Sequence, residues 1–148
     1  MKEEKIMKPV YEMIGYQLVD IKYKRLQLGV PEYFKLYLKG SQFDESRSIY
    51  IIEPLFEIKF KDVELSTLLF SAAFKINDLT WKEKMSKEQV DATFMAAVYP
   101  FIRSMIHHVT DDYRGAINLP VIDIRLANLE KGVTFEPHIK SHDSGLKN

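Results

Sequence analysis

From Ser86 to Val109 the chain reads as one helix with apolar residues around more of its circumference than a single sheet can cover. Ser86 and Gln89 have the spacing of a capping box, and Glu88 in the first turn suits the positive end of the helix dipole. Val90, Phe94, Ala97, Phe101, Met105 and Val109 recur at helical spacing, and Met95, Val98, Tyr99, Ile102 and Ile106 form a second stripe beside them. The surplus arc needs a second surface. The simplest is the same helix of another copy, met through Met95, Tyr99, Ile102 and Ile106, giving a homo-dimer or homo-tetramer; the chain's own C-terminal segment is the alternative. Pro100, in mid-helix, removes a backbone bond near Ala96 and predicts a kink.

Ahead of this helix the period changes to two. Tyr16 to Leu28 is rich in Val, Ile, Tyr and Leu and closes at Gly29-Val30-Pro31. Tyr33 to Lys39 alternates cleanly, with Phe34, Leu36 and Leu38 on one face, and Gly40 to Ser46 reads as a polar loop. Ser48 to Lys61 is a longer strand whose apolar parity passes from Ile49 and Ile51 to Phe56, Ile58 and Phe60, predicting a bulge or an edge position at Glu53-Pro54. Lys61-Asp62 is a tight reversal. Val63 to Ile76 then sets Leu68, Phe70, Ala72, Phe74 and Ile76 on one face. Four strands with short connections predict an antiparallel meander, so the fold class is α+β: the meander, the long kinked helix, then a short helical or extended finish from Asp123 to Lys131. The chain after Gly132 reads as a loose tail, mobile from about Pro137.

The 148 residues, 46% apolar and 28% charged, fit one globular domain over 1–148. Without cysteine there is no disulfide scaffold, zinc-thiolate site or thiol nucleophile. Twenty-one basic residues balance 21 acidic ones, with no basic stripe, which argues against a nucleic-acid partner and modestly favours self-association. No apolar run approaches a membrane span and no signal peptide is expected at Met1 to Lys8, so the expected compartment is the cytoplasm.

The segment Ala97-Val-Tyr-Pro-Phe-Ile-Arg103, followed by Ile117-Asn-Leu-Pro-Val121, resembles the signature region of SecB, the bacterial protein-export chaperone. The order of elements resembles that family as well. The resemblance implies a SecB-like fold, a dimer of dimers with helices at its interface, and a holdase that keeps non-native polypeptide in apolar grooves without catalysis or cofactor. Relatives of that family also act outside export, protecting antitoxins. SecB proteins recruit the motor SecA through acidic residues on the exposed sheet face, whereas this chain offers Lys35, Lys39, Lys59 and Lys61 there, so the resemblance does not carry a SecA contact.

Client binding requires adaptable exposed apolar surface, for which the chain has 8 Tyr, 9 Phe and 6 Met. Trp81, Tyr33, Tyr37, Tyr50 and Tyr99 are the candidate polypeptide-binding residues. His107-His108 with Asp111-Asp112 sits where a helix C-terminus favours histidine, a better account than a metal site, and His138 with His142-Asp143 is treated likewise. No nucleophile elbow, phosphate loop, zinc-protease helix or dinucleotide fingerprint occurs, so no enzyme activity is expected.

Overall fold

A computed structural model of the chain describes residues 8–26, 31–112, 115–124 and 128–135. Their element order is β1 (Tyr11–Lys22), β2 (Pro31–Asp44), β3 (Ile49–Phe60), β4 (Ser66–Ile76), α1 (Leu79–Glu83), α2 (Lys87–Thr110) and β5 (Val133–Phe135). The five strands form one antiparallel sheet in the order β1-β4-β3-β2-β5. The meander therefore covers β2, β3 and β4 only. β1 crosses to the far side of β4, a Greek-key order read in reverse.

Strict alternation drives the two central strands. Along β4, Ser66, Leu68, Phe70, Ala72, Phe74 and Ile76 are buried. β3 keeps a single buried parity from Tyr50 through Ile52, Pro54, Phe56 and Ile58 to Phe60. The parity change expected at Glu53-Pro54 is absent, because Ile49 and Ile51 belong to the opposite, half-buried face of a strand that is apolar on both sides. Nor is β3 an edge. The proline instead leaves Glu53 and Pro54 unpaired with β4, and the extra residue appears opposite it on β2, where Leu38 pairs Pro54 and Gly40 pairs Glu53 across Lys39. Past this bulge β2 continues to Asp44, through residues expected to be loop, and turns at Glu45–Ser48.

β1 starts five residues before the predicted Tyr16, and register shifts at Met13/Gly15 and Leu18/Asp20 scramble the alternation that would have located it. The reversal at Lys61-Asp62 is present, with Asp62 in the left-handed region (φ 59°) and Val63 N–H donating to Phe60 O (3.3 Å).

α2 begins at the expected cap. Ser86 Oγ accepts from Gln89 N (3.1 Å) and Gln89 Oε1 accepts from Ser86 N (2.9 Å). The helix lies on the sheet through an aromatic cluster in which Phe94 stacks on Phe74 (centroids 4.2 Å apart) and meets Tyr11, Tyr50 and Trp81 at 5.0 to 6.0 Å. Such pairs contribute about 0.5–1.5 kcal/mol beyond the area they bury. Met95, Tyr99, Ile102 and Ile106, assigned from sequence to a contact between copies, are all at most 3% exposed within one chain. Their burial needs no second copy. The segment from Ile117 to Ile124 lies on α2: Tyr99 OH donates to Pro120 O (2.6 Å), Ile117 N donates to Thr110 Oγ1 (2.8 Å), and Ile117, Leu119 and Ile124 are buried.

The described part of the finish expected to be helical or extended from Asp123 to Lys131 ends in a turn at Leu129 to Lys131, and the residues after Gly132 include a fifth strand rather than a loose end. The expected mobile tail from Pro137, with His138, His142 and Asp143, lies outside the described residues. Among the described residues, no helix is long and apolar enough to cross a membrane.

Candidate functional site

Two chain features converge beside the bulge of β2. The first is the turn that delivers β5. Asn128 Oδ1 accepts from the backbone N–H groups of Glu130 (3.1 Å) and Lys131 (3.2 Å), and Asn128 O accepts from Gly132 N (2.9 Å). Gly132 sits at φ +86°, where a Cβ would come within 2.8 Å of Lys35 Cε and 3.0 Å of Tyr37 Cβ. Only glycine fits there. β5 then pairs Phe34, Lys35 and Leu36, and Leu38 N donates to Leu129 O (3.0 Å). From Gly40 to Asp44 the outer edge of β2 has no strand partner among the described residues.

The second feature is the first turn of α2, held by its capping box. It places Lys87 and Asp91 one turn apart, facing that free edge. A cavity of about 480 Å³ lies between Leu38, Gly40 and Ser41 of β2, Lys87 and Asp91 of α2, and Leu129 of the turn. A second cavity of about 220 Å³ follows along β2, lined by Phe43, Tyr50, Lys82, Met85, Lys87 and Val90. Lys87 belongs to both. The two cavities follow one another along the strand edge as one interrupted groove, with Lys87 between them; the larger is lined mainly by polar and charged residues around Leu38 and Leu129, and the smaller by Phe43, Met85 and Val90.

Its electrostatic centre is Asp91, only 7% exposed. Its carboxylate accepts from the Tyr50 hydroxyl (2.5 Å) and pairs with Lys87 Nζ (3.2 Å), and the Ser41 and Tyr50 hydroxyls are 3.3 Å apart. Burial, then the hydrogen bond to Asp91, raises the Tyr50 pKa, so the phenol stays a neutral donor. Lys82 Nζ lies 4.3 Å from the centroid of the Phe43 ring, and both side chains line the second cavity.

Of the five predicted binding residues, Tyr50 alone lines the groove. Trp81 is on α1, in the aromatic cluster against Tyr11 (5.3 Å). Tyr33 and Tyr37 are on the helix-free face of the sheet, where the Tyr37 hydroxyl donates to Glu57 Oε1 (2.9 Å); burial and that carboxylate push its pKa up to about 12. Tyr99 is buried under the Ile117–Ile124 segment. His107 Nδ1 is 2.6 Å from Asn118 Oδ1, and no group of three metal-ligating side chains occurs among the described residues. Sequence reasoning missed Phe43, Met85, Lys87, Asp91 and Leu129. The signal for one was present: Asp91 is a carboxylate inside an apolar helical stripe, between Val90 and Phe94, with a lysine four residues before it.

A second surface lies at the opposite edge. β1 exposes Ile14 (57%), Tyr16, Val19 (52%) and Ile21, and the Tyr16 ring lies 4.7 Å from Phe101 of α2, itself 39% exposed. On the helix-free face, Lys35, Lys59 and Lys75 alternate with Glu53 and Glu57, so that face is mixed in charge.

By sequence, the chain matches no protein-family model and no curated protein. By structure, it is similar to the SecB-like chaperone of Mycobacterium tuberculosis in complex with a ChAD peptide from the HigA1 antitoxin, with 15% identity and a TM-score of 0.52 over 76% of this chain and 87% of that one. A Streptococcus agalactiae protein of unknown function aligns over 75% of this chain and 97% of its own, with 15% identity and a TM-score of 0.44. The fold of the chain is SecB-like.

Proposed function

We propose that this chain is a SecB-like polypeptide-binding chaperone that holds extended apolar segments in the groove along β2 and pairs with a second copy through β1. The observation that carries the reading is the edge of β2 from Gly40 to Asp44, which has no strand partner among the described residues and lies beside two cavities. A strand edge exchanges backbone hydrogen bonds with any extended sequence, and adjoining cavities take alternate side chains, so affinity comes without strict sequence demand. The action is passive burial of client surface, with no catalytic step and no cofactor. A cytoplasmic holdase needs nothing more.

The pairing of copies rests on β1, a 12-residue edge strand whose apolar side chains remain exposed beside Phe101. An edge of this kind is satisfied by a two-fold partner presenting the same surface. The mixed charge of the helix-free face gives no footing for a SecA contact, so export is not part of the proposal. A dedicated adaptor is the second reading, favoured by the structural neighbour, which is in complex with a peptide from one antitoxin.

Light scattering of an unfolding client tests the first reading: stoichiometric protein should suppress aggregation, and no suppression ends the holdase. Pull-down separates the two readings, since a holdase recovers many unfolded chains and an adaptor enriches a single partner.

A further inference from the structure

One buried carboxylate in the wall of the larger cavity has two partners of very different quality. Tyr50 is itself buried and donates at 2.5 Å. Lys87 reaches Asp91 from solvent; its side chain is 62% exposed and makes one contact, at 3.2 Å. A buried carboxylate needs strong compensation, and a single exposed ammonium on a flexible stem is a weak source of it. Lys87 is therefore the replaceable partner, and it is also the side chain that lines both cavities.

We infer that the larger cavity receives a basic side chain, arginine above all, from an extended peptide lying along Gly40 to Asp44 of β2, and that its guanidinium takes the place of Lys87 on Asp91. The inference rests on the reading of the groove as a polypeptide site and adds to it the chemistry of one subsite. Charge favours it: Lys39 and Lys87 face Glu88, Asp91 and Glu130 in the lining, leaving one excess negative charge, or two once Lys87 turns to solvent. Geometry favours it as well, because a planar guanidinium can offer two parallel donors to a carboxylate where an ammonium offers one point charge. The smaller cavity, walled by Phe43, Met85 and Val90, accepts an apolar side chain further along the same peptide. Withdrawal of Lys87 joins the two cavities and lengthens the groove.

The test uses the full-length protein and labelled extended peptides, apolar at alternate positions, whose central residue is Arg, Gln or Glu, with binding read by fluorescence anisotropy. The Arg peptide is expected to bind about tenfold more tightly than the Gln peptide, as for one charge-assisted hydrogen-bonded pair, and the Glu peptide more weakly than either. Asp91→Asn keeps the shape and the acceptor for Tyr50, and it should bring the Arg-to-Gln ratio close to one; an unchanged melting temperature shows that the fold is intact. Lys87→Met removes the competitor and should tighten the Arg peptide selectively.

Equal affinity for Arg and Gln peptides on the wild-type chain, or a ratio untouched by Asp91→Asn, overturns the inference while leaving the groove in place. Preference for the Glu peptide overturns it in favour of acidic segments held by Lys39 and Lys87. Failure of all three peptides to bind removes the groove reading together with the subsite.

Discussion

Among the described residues, one edge of the sheet is long, apolar and bare, while the other is covered in part by a short strand and flanked by cavities. β1 presents 12 residues with Ile14, Tyr16, Val19 and Ile21 exposed; β2 is paired with β5 at Phe34 to Leu36 and bonded to Leu129 at Leu38, and from Gly40 to Asp44 it has no strand partner among the described residues. A bare apolar edge is a liability unless a partner of fixed shape covers it, and a second copy is always available in the same register. A short free edge next to cavities suits a partner whose sequence varies. On the proposed reading, the same sheet would separate permanent from transient pairing by how much of each edge it leaves open.

The strongest way to break this comparison is to charge the bare edge. Val19→Lys with Phe101→Lys places two ammonium groups in the surface assigned to the second copy, and burying an unpaired charge costs several kcal/mol, so association should weaken by about a hundredfold or more. Light scattering should then report 17.3 kDa, a single chain. Peptide binding at β2 should persist. A wild-type chain that already runs at that mass would leave β1 without its assigned role.

A smaller effect separates the two halves of β2. Gly132→Ala forces a Cβ into the left-handed region at φ +86° and against Lys35 and Tyr37, with an expected loss of about 1–2 kcal/mol in urea unfolding. Hydrogen exchange should localise it: the amides of Val133 to Phe135 and Leu38 exchange faster, while those of β4 keep their protection. Unchanged stability would mean that β5 contributes nothing to closing that half of the edge.

Legibility in the sequence followed the same division. β3, β4 and the start of α2 could be read because one face of each is packed against a continuous core, so burial imposes period two on Leu68 to Ile76 and a capping box marks Ser86. The bare edge was harder to place: two bulges break the parity of β1, and nothing local records that it pairs with β4. β5 was invisible, since three residues carry no period and are a strand only because the edge of β2 receives them. The groove arises from turns and bulges far apart in sequence, among them Lys39, Asn128 and Ser86, which explains why Tyr50 alone was anticipated. Whether the surplus arc of α2 meets another copy or its own chain could not be decided by periodicity; Tyr99 and Pro120 are 21 residues apart and are joined only by the fold.

That last contact gives the smallest and most specific test, because it bears on how the Met95, Tyr99, Ile102 and Ile106 stripe of α2 is covered within one chain. The Tyr99 hydroxyl donates to Pro120 O at 2.6 Å, and burial pushes its pKa from 10.0 up to about 12 against a small opposing pull from Arg103. The sign follows from linkage: the folded chain holds this proton more tightly than the unfolded one, so the stabilisation is complete below pH 10 and is lost as pH rises through 12. Tyr99→Phe should lower stability at neutral pH by about 1 kcal/mol, the net worth of one hydrogen bond. Tyr37 and Tyr50 also resist ionisation and steepen the alkaline limb in both proteins, so the informative quantity is the difference between wild type and variant. It should shrink between pH 10 and 12, and a constant difference would mean that Tyr99 does not fasten the Ile117–Ile124 segment to the helix.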